Sequence, residues 1–159
     1  MLYIVLKYSD GSVAIRGHMS PSYLARHSDD RTAALNQLMA EKVPLQNPDA
    51  VATIADITLP ERDYLRNSWT FDGSNVVHDM TKARAIHLVE IRRVRDEELV
   101  KLDVPWMKAV EAGDTSTQAT LQTQKQTLRD IPATFDITTG ITTAAQLKTR
   151  WPAELPARE

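Results

Sequence analysis

The sequence predicts an α+β fold: a small N-terminal β-β-α-β unit and a short β-hairpin, followed by a C-terminal helical hairpin region. Three observations predict it. Two Asp-Gly steps, Asp10-Gly11 and Asp72-Gly73, each lie between short β-prone runs, as the tight turn of a hairpin requires. Residues 81–112 contain no glycine and repeat their apolar side chains at helical spacing. Between the hairpins, Ala34, Leu35, Leu38 and Met39 recur at intervals of three and four, which marks one helix lying on a small sheet.

Taken in order, residues 2–8 form a first strand and residues 13–16 a half-buried second one. Residues 17–28 are polar, hold a Ser-Pro step and are expected to form a loop. Ser28 or Asp29 caps a helix over residues 30–42, ended by Pro44 and the Asn47-Pro48 step. Residues 51–57 supply the third strand. Together these make a domain over residues 1–59. Residues 60–79 are a connector with a short charged turn and the hairpin of Trp69–Phe71 with Asn75–His78, expected either to extend the first sheet or to cover the next helix. Residues 80–131 form the helical hairpin. Its first helix starts at Asp79 to Thr81 and buries a stripe of Ala83, His87, Ile91, Val94 and Leu102. Pro105 breaks or kinks it near Asp103, and Gly113 stops it. A capping-box pattern at Thr115–Gln118 starts the second helix, which Ile131-Pro132 ends. Residues 132–159 hold a threonine-rich loop, a short helix over residues 144–150 and an extended tail.

Composition narrows the function. A chain of 159 residues, 42% hydrophobic and 25% charged, folds as one domain or two small ones. Its net charge of -2 lacks the basic excess of a dedicated nucleic-acid binder, so no nucleic-acid partner is expected. The basic run of Lys82, Arg84, Arg92, Arg93 and Arg95 is followed by Asp96, Glu97 and Glu98, which pair with it along the helix. The absence of cysteine excludes disulfides, thiolate metal sites and cysteine nucleophiles. The N-terminal apolar run is too short for a signal-peptide core or a membrane span, so synthesis in the cytoplasm with no membrane contact is the expectation.

Chemistry-bearing patterns are sparse. His18, His27, His78 and His87 are never three or four positions apart, so no helix face carries a metal-binding pair. Five glycines form no phosphate-binding loop, and no Gly-x-Ser-x-Gly occurs. The acidic pairs Asp29-Asp30 and Glu97-Glu98 are explained by a helix N-terminus and a solvated helix face. No catalytic residue, cofactor or metal ligand is expected, and the protein is not expected to be an enzyme. The tryptophans stand out instead. Trp69, Trp106 and Trp151 are large anchors in a chain only 6% aromatic, and holding elements to the core is the simpler role for each. Trp106 with Met107, and Trp151 with Leu155 beside the terminal prolines, are the candidate partner-binding residues.

Five segments carry a family resemblance: Glu61–Trp69, Asp79–His87, Leu102-Asp103-Val104-Pro105-Trp106-Met107, Leu128-Arg129-Asp130-Ile131-Pro132 and Leu147-Lys148-Thr149-Arg150-Trp151-Pro152. In their order and spacing, about residues 57–159 resemble a tail-module protein of bacteriophages and prophages, and the later part is similar to the phage tail assembly chaperone family. In that family proline often stands where this chain has Thr81, which fits a helix's first turn. Pro105 departs from the family's uninterrupted helix. The resemblance implies binding to phage tail or tail-fibre proteins during tail morphogenesis, in the cytoplasm of the bacterial host, with homo-oligomerisation open. It is equally compatible with a permanent adaptor in the virion tail tip or fibre, and more weakly with a host-directed effector. It supplies no catalytic residue.

Overall fold

The computed structural model describes residues 1–17, 19–41, 43–46 and 49–158. The chain is mixed helix and strand and divides into two compact units, residues 1–79 and 80–159.

In the first unit, β1 (Leu2–Lys7) pairs antiparallel with β2 (Val13–Arg16) and, on its other side, with β3 (Val51–Asp56). The register is continuous: Val5 faces Ile15 and Thr53, and Ile4 faces Arg16 and Ile54. Gly11 takes a positive φ of 74° in the β1–β2 turn, where a side chain would be strained. The period of two divides β1 between two cores. Ile4 and Leu6 point to α2 (Arg31–Glu41), where Ala34 and Leu35 complete the packing. Val5 points the other way and meets Trp69, Phe71 and Val76 of the second hairpin, β4 (Trp69–Phe71) with β5 (Val76–His78). That hairpin therefore does not extend the first sheet: it is a separate two-stranded sheet packed on the face of the first sheet opposite α2. Its turn is held by Asp72, whose carboxylate accepts from the amides of Asn75 (2.7 Å) and Ser74 (2.8 Å). These bonds keep it below the usual carboxylate range.

Three expectations change in this unit. Residues 17–28 are not all loop, because Ser20 caps a short helix, α1 (Pro21–Ala25), and Pro21 suits its first position, where no amide is needed. Ser28 and Asp29 take positive φ values of 54° and 60°, so the cap of α2 falls to Asp30, whose Oδ1 accepts from Thr32 and Ala33. Pro44 does not simply end a helix; it lies in the first turn of α3 (Val43–Gln46). Lys42, Asn47 and Pro48, expected at the helix end, and His18 lie outside the described residues. Gly17 is required sterically, since a Cβ there would sit 2.2 Å from the Tyr3 ring. Beside it, the Arg31 guanidinium donates to the carbonyls of Leu2 (2.9 Å) and Gly17 (2.7 Å).

The second unit packs α4 (Met80–Lys101), α5 (Asp103–Glu111), α6 (Thr115–Thr134) and α7 (Ala144–Thr149). Ala83, His87, Ile91 and Val94 form the buried stripe of α4, while Leu102 is only half-buried. The outer face of the C-terminal half of α4 carries ion pairs: Arg93 reaches Glu90 (2.7 Å) and Glu97 (2.5 Å), and Lys101 reaches Glu98 (2.5 Å). Pro105 breaks the helix rather than kinking it. Because α5 restarts at Asp103, Pro105 falls in a first turn, where its missing amide costs no helical bond. Asp114, one residue earlier than expected, caps α6 by accepting from the Thr117 amide. Pro132 does not stop α6. Ile131 is buried beside Leu121 and Leu128, and the Phe135 amide closes the last turn on the Ile131 carbonyl at 2.9 Å. The wet face of α6 satisfies its threonines internally, for example Thr123 on the Ala119 carbonyl and Thr127 on that of Thr123. The loop after α6 turns on Asp136, held far below the usual range by the side-chain and backbone donors of Thr138 and Thr139. The capping box belongs to α7, as the reciprocal pair of Thr143 and Gln146.

Candidate protein-interaction surface

Helix α5 is short and rides on α6 through polar ties more than through core. Only Ala109 of α5 is buried. Lys125 of α6, itself largely buried, donates to the Asp103 carboxylate at 2.8 Å and lies 5.4 Å from the centre of the Trp106 ring. Gln118 donates to the Ala109 carbonyl at 3.1 Å. These contacts fix the rotation of α5 and leave one side of it in water.

That side mixes apolar residues with the exposed Asp103, Lys108 and Glu111. Val104, Met107 and Val110 follow one another at intervals of three, and Val100 precedes them by four at the end of α4. All four are half to two-thirds exposed, making a ridge across the α4–α5 break. Of the sequence candidates, Met107 sits on this ridge. Trp106 is half-buried beneath the Lys125 ammonium. Sequence reasoning missed Val100, Val104 and Val110. Their spacing of four, three and three is that of one helix face and is visible in the sequence; that this face stays in water is not.

The other candidate pair is placed differently. Leu155 is 6% exposed, part of the core and not available to a partner. The residues after Trp151 do not extend: Pro152 is fully buried, the Leu155 amide bonds to its carbonyl at 3.2 Å, and the chain turns back. Trp151 is half-buried, donates Nε1 to the Pro156 carbonyl at 2.8 Å and carries the Arg158 guanidinium over its ring. Beneath it lies His87, fully buried, edge-on to the indole with ring centres 5.9 Å apart. His87 Nε2 is 2.7 Å from the Arg150 carbonyl and must carry the proton, because a carbonyl only accepts. This bond clasps the end of α7 to α4. Trp106 with Met107 and Trp151 with Leu155 thus occupy separate places in the unit, and only the first pair borders the ridge.

Burial lowers the His87 pKa from its ordinary value of 6.5, against the opposing bond to Arg150, so the fold favours the neutral ring. An unfolded chain takes up the proton near pH 6.5, whereas the folded one resists it to lower pH. The stabilisation is therefore complete above pH 6.5 and lost progressively as pH falls toward the folded value. We expect the second unit to melt at lower temperature at pH 5 than at pH 7.5, and His87→Gln to flatten that dependence. The measurement is calorimetry across this range. An equal slope in the variant would place the titrating group elsewhere.

Constellations for chemistry are thin among the described residues. No group of three or more histidines and carboxylates converges on a common point. The nearest nucleophile–base pair is Ser68 Oγ with His78 Nδ1, 2.7 Å apart, which sequence reasoning did not single out. Ser68 is fully buried and its hydroxyl also lies 2.7 Å from the Leu65 carbonyl, so the pair ties β5 to the preceding turn with no access for substrate. No helix among the described residues is long and apolar enough to cross a membrane.

No family model, curated protein or solved structure matches this chain. The five segments singled out in the sequence contribute core positions: Leu65, Ser68 and Trp69 in the first unit, and Ala83, His87, Leu128, Ile131, Leu147 and Pro152 in the second. Met107 is the exposed large apolar residue among the sequence candidates.

Proposed function

We propose that this chain is a non-enzymatic phage tail-module protein that binds tail or tail-fibre subunits during tail morphogenesis, in the cytoplasm of the bacterial host. The observation that carries this reading is the exposed ridge of Val100, Val104, Met107 and Val110. Four apolar side chains in one row cost solvation unless a partner covers them. A partner's apolar helix or strand laid along the ridge would bury them, with Met107 adapting its unbranched side chain to the partner's surface. The polar ties between α5 and α6 present that row in a fixed orientation before binding, which lowers the ordering cost of association.

The test is disruption of the gene in the phage or prophage that carries it, with quantitative mass spectrometry on purified particles. The reading predicts failure of tails without the protein, and its absence from mature particles. A fixed stoichiometric copy number in the particle would make it a retained tail component instead. Normal tails without it would overturn both readings.

A further inference from the structure

We propose that the outer edge of β3 is a self-pairing surface, on which a second copy of this chain adds its own β3 antiparallel about a two-fold axis through Thr53. Among the described residues β3 pairs with β1 and with no other strand, which leaves the other side of its backbone ladder open there. Edge strands are commonly protected by shortness, a bulge, proline or lysine. β2, the opposite edge, is four residues long and ends in Arg16. β3 has none of these protections: its six residues, Val-Ala-Thr-Ile-Ala-Asp, pair with β1 in unbroken register. It is also open on its flanks. Val51 is 71% exposed, Thr53 is exposed, and Ile54 stays only partly buried although its neighbour Ile4 is sealed completely.

The sequence of β3 suits pairing with itself. Residues directly opposite in an antiparallel pair point to the same face, so a two-fold partner must match odd positions with odd and even with even. Centred on Thr53, the pairing sets Thr53 against Thr53, Val51 against Ala55, and Ala52 against Ile54. Each pair joins small or β-branched side chains, and none sets like charges together. The one charged residue of the strand, Asp56, falls opposite Ala50 beyond the ladder, and its carboxylate is already paired with the Met1 ammonium. Centring on Ile54 instead would set Asp56 against Ala52 on the helix-covered face. The Thr53-centred pairing makes one six-stranded sheet from two chains, in the order β2-β1-β3-β3-β1-β2, closed by two-fold symmetry. It covers the exposed Val51 and the partly buried Ile54 of both copies and uses none of the α5 ridge.

Because Thr53 meets its own copy, charge at that position gives a decisive test. Analytical ultracentrifugation should find the wild-type chain at twice 17.8 kDa in the micromolar to sub-millimolar range. Thr53→Lys alone and Thr53→Asp alone should each self-associate at least ~10-fold more weakly, since like charges then oppose across the axis. An equimolar mixture of the two should regain the dimer, which also shows that both variants fold. A wild-type chain that stays monomeric throughout would overturn the proposal. So would single variants that dimerise as the wild type does, or a mixture of natively folded variants that fails to associate.

Discussion

Leu147→Ala is expected to remove about 2–5 kcal/mol from the stability of the second unit, the cost of a buried leucine truncated where its surroundings cannot collapse. Leu147 has no exposed surface, and it sits on α7, a helix of six residues. A helix that short does not persist on its own. Its capping box satisfies the first turn, but docking rests on Leu147 and on the His87 bond to the Arg150 carbonyl just beyond. The truncation should therefore loosen the turned-back segment through Leu155 as well as α7. Urea denaturation with hydrogen exchange over residues 144–158 measures this. A loss within ~0.5 kcal/mol, typical of surface positions, would contradict the packing described.

In the first unit the largest effect falls on Trp69. Trp69→Ala should cost about 3–5 kcal/mol. The indole is 2% exposed among Val5, Ile57, Phe71 and Val76, and it is the bulk that seals the hairpin to the sheet. Trp69→Phe should cost much less. The indole N–H is buried and meets no acceptor among the described residues. A donor in that state carries a penalty of about 1–3 kcal/mol, which phenylalanine removes while keeping most of the ring. Denaturation of the two variants side by side reads the difference. A phenylalanine variant as unstable as the alanine one would show that the N–H is bonded in solution.

The parts of the fold legible in the sequence were those set by local chemistry. Asp10-Gly11 and Asp72-Gly73 announced both hairpins because positive φ favours glycine, and Gly11 and Gly73 take it. The stripe from Ala83 to Val94 announced which face of α4 is buried, since helical spacing is visible in one dimension. What needed the third dimension was not legible. Nothing local says that Ile131 is buried, so Pro132 read as a stop and not as a residue carried inside the last turns of α6. Ser20-Pro21 read as loop because a cap and a turn use the same residue types. The hairpin's role as cover for the second face of the sheet depends on Val5 meeting Trp69, a contact across 64 positions of chain. The candidate site divided in the same way. Met107 could be picked as a large apolar residue after a helix break, but Val100, Val104 and Val110 join it only once Lys125 and Gln118 fix the rotation of α5. Leu155 looked exposed because it lies among prolines near the end of the sequence. It is buried because Pro152 and the Trp151–Pro156 bond turn the chain back.

The measurement that bears most directly on the proposed role is complementation of the disrupted gene by a ridge variant. Val104→Asp with Met107→Asp places two charges on the exposed face of α5 and touches no buried side chain. Its stability should stay within ~1 kcal/mol of wild type. If the ridge is the surface that tail subunits cover, the variant should be folded, abundant and unable to restore tails, since a buried unpaired charge in an interface is strongly unfavourable. Full restoration of infectious tails by this folded variant would contradict the claim that the α5 ridge carries the protein's function.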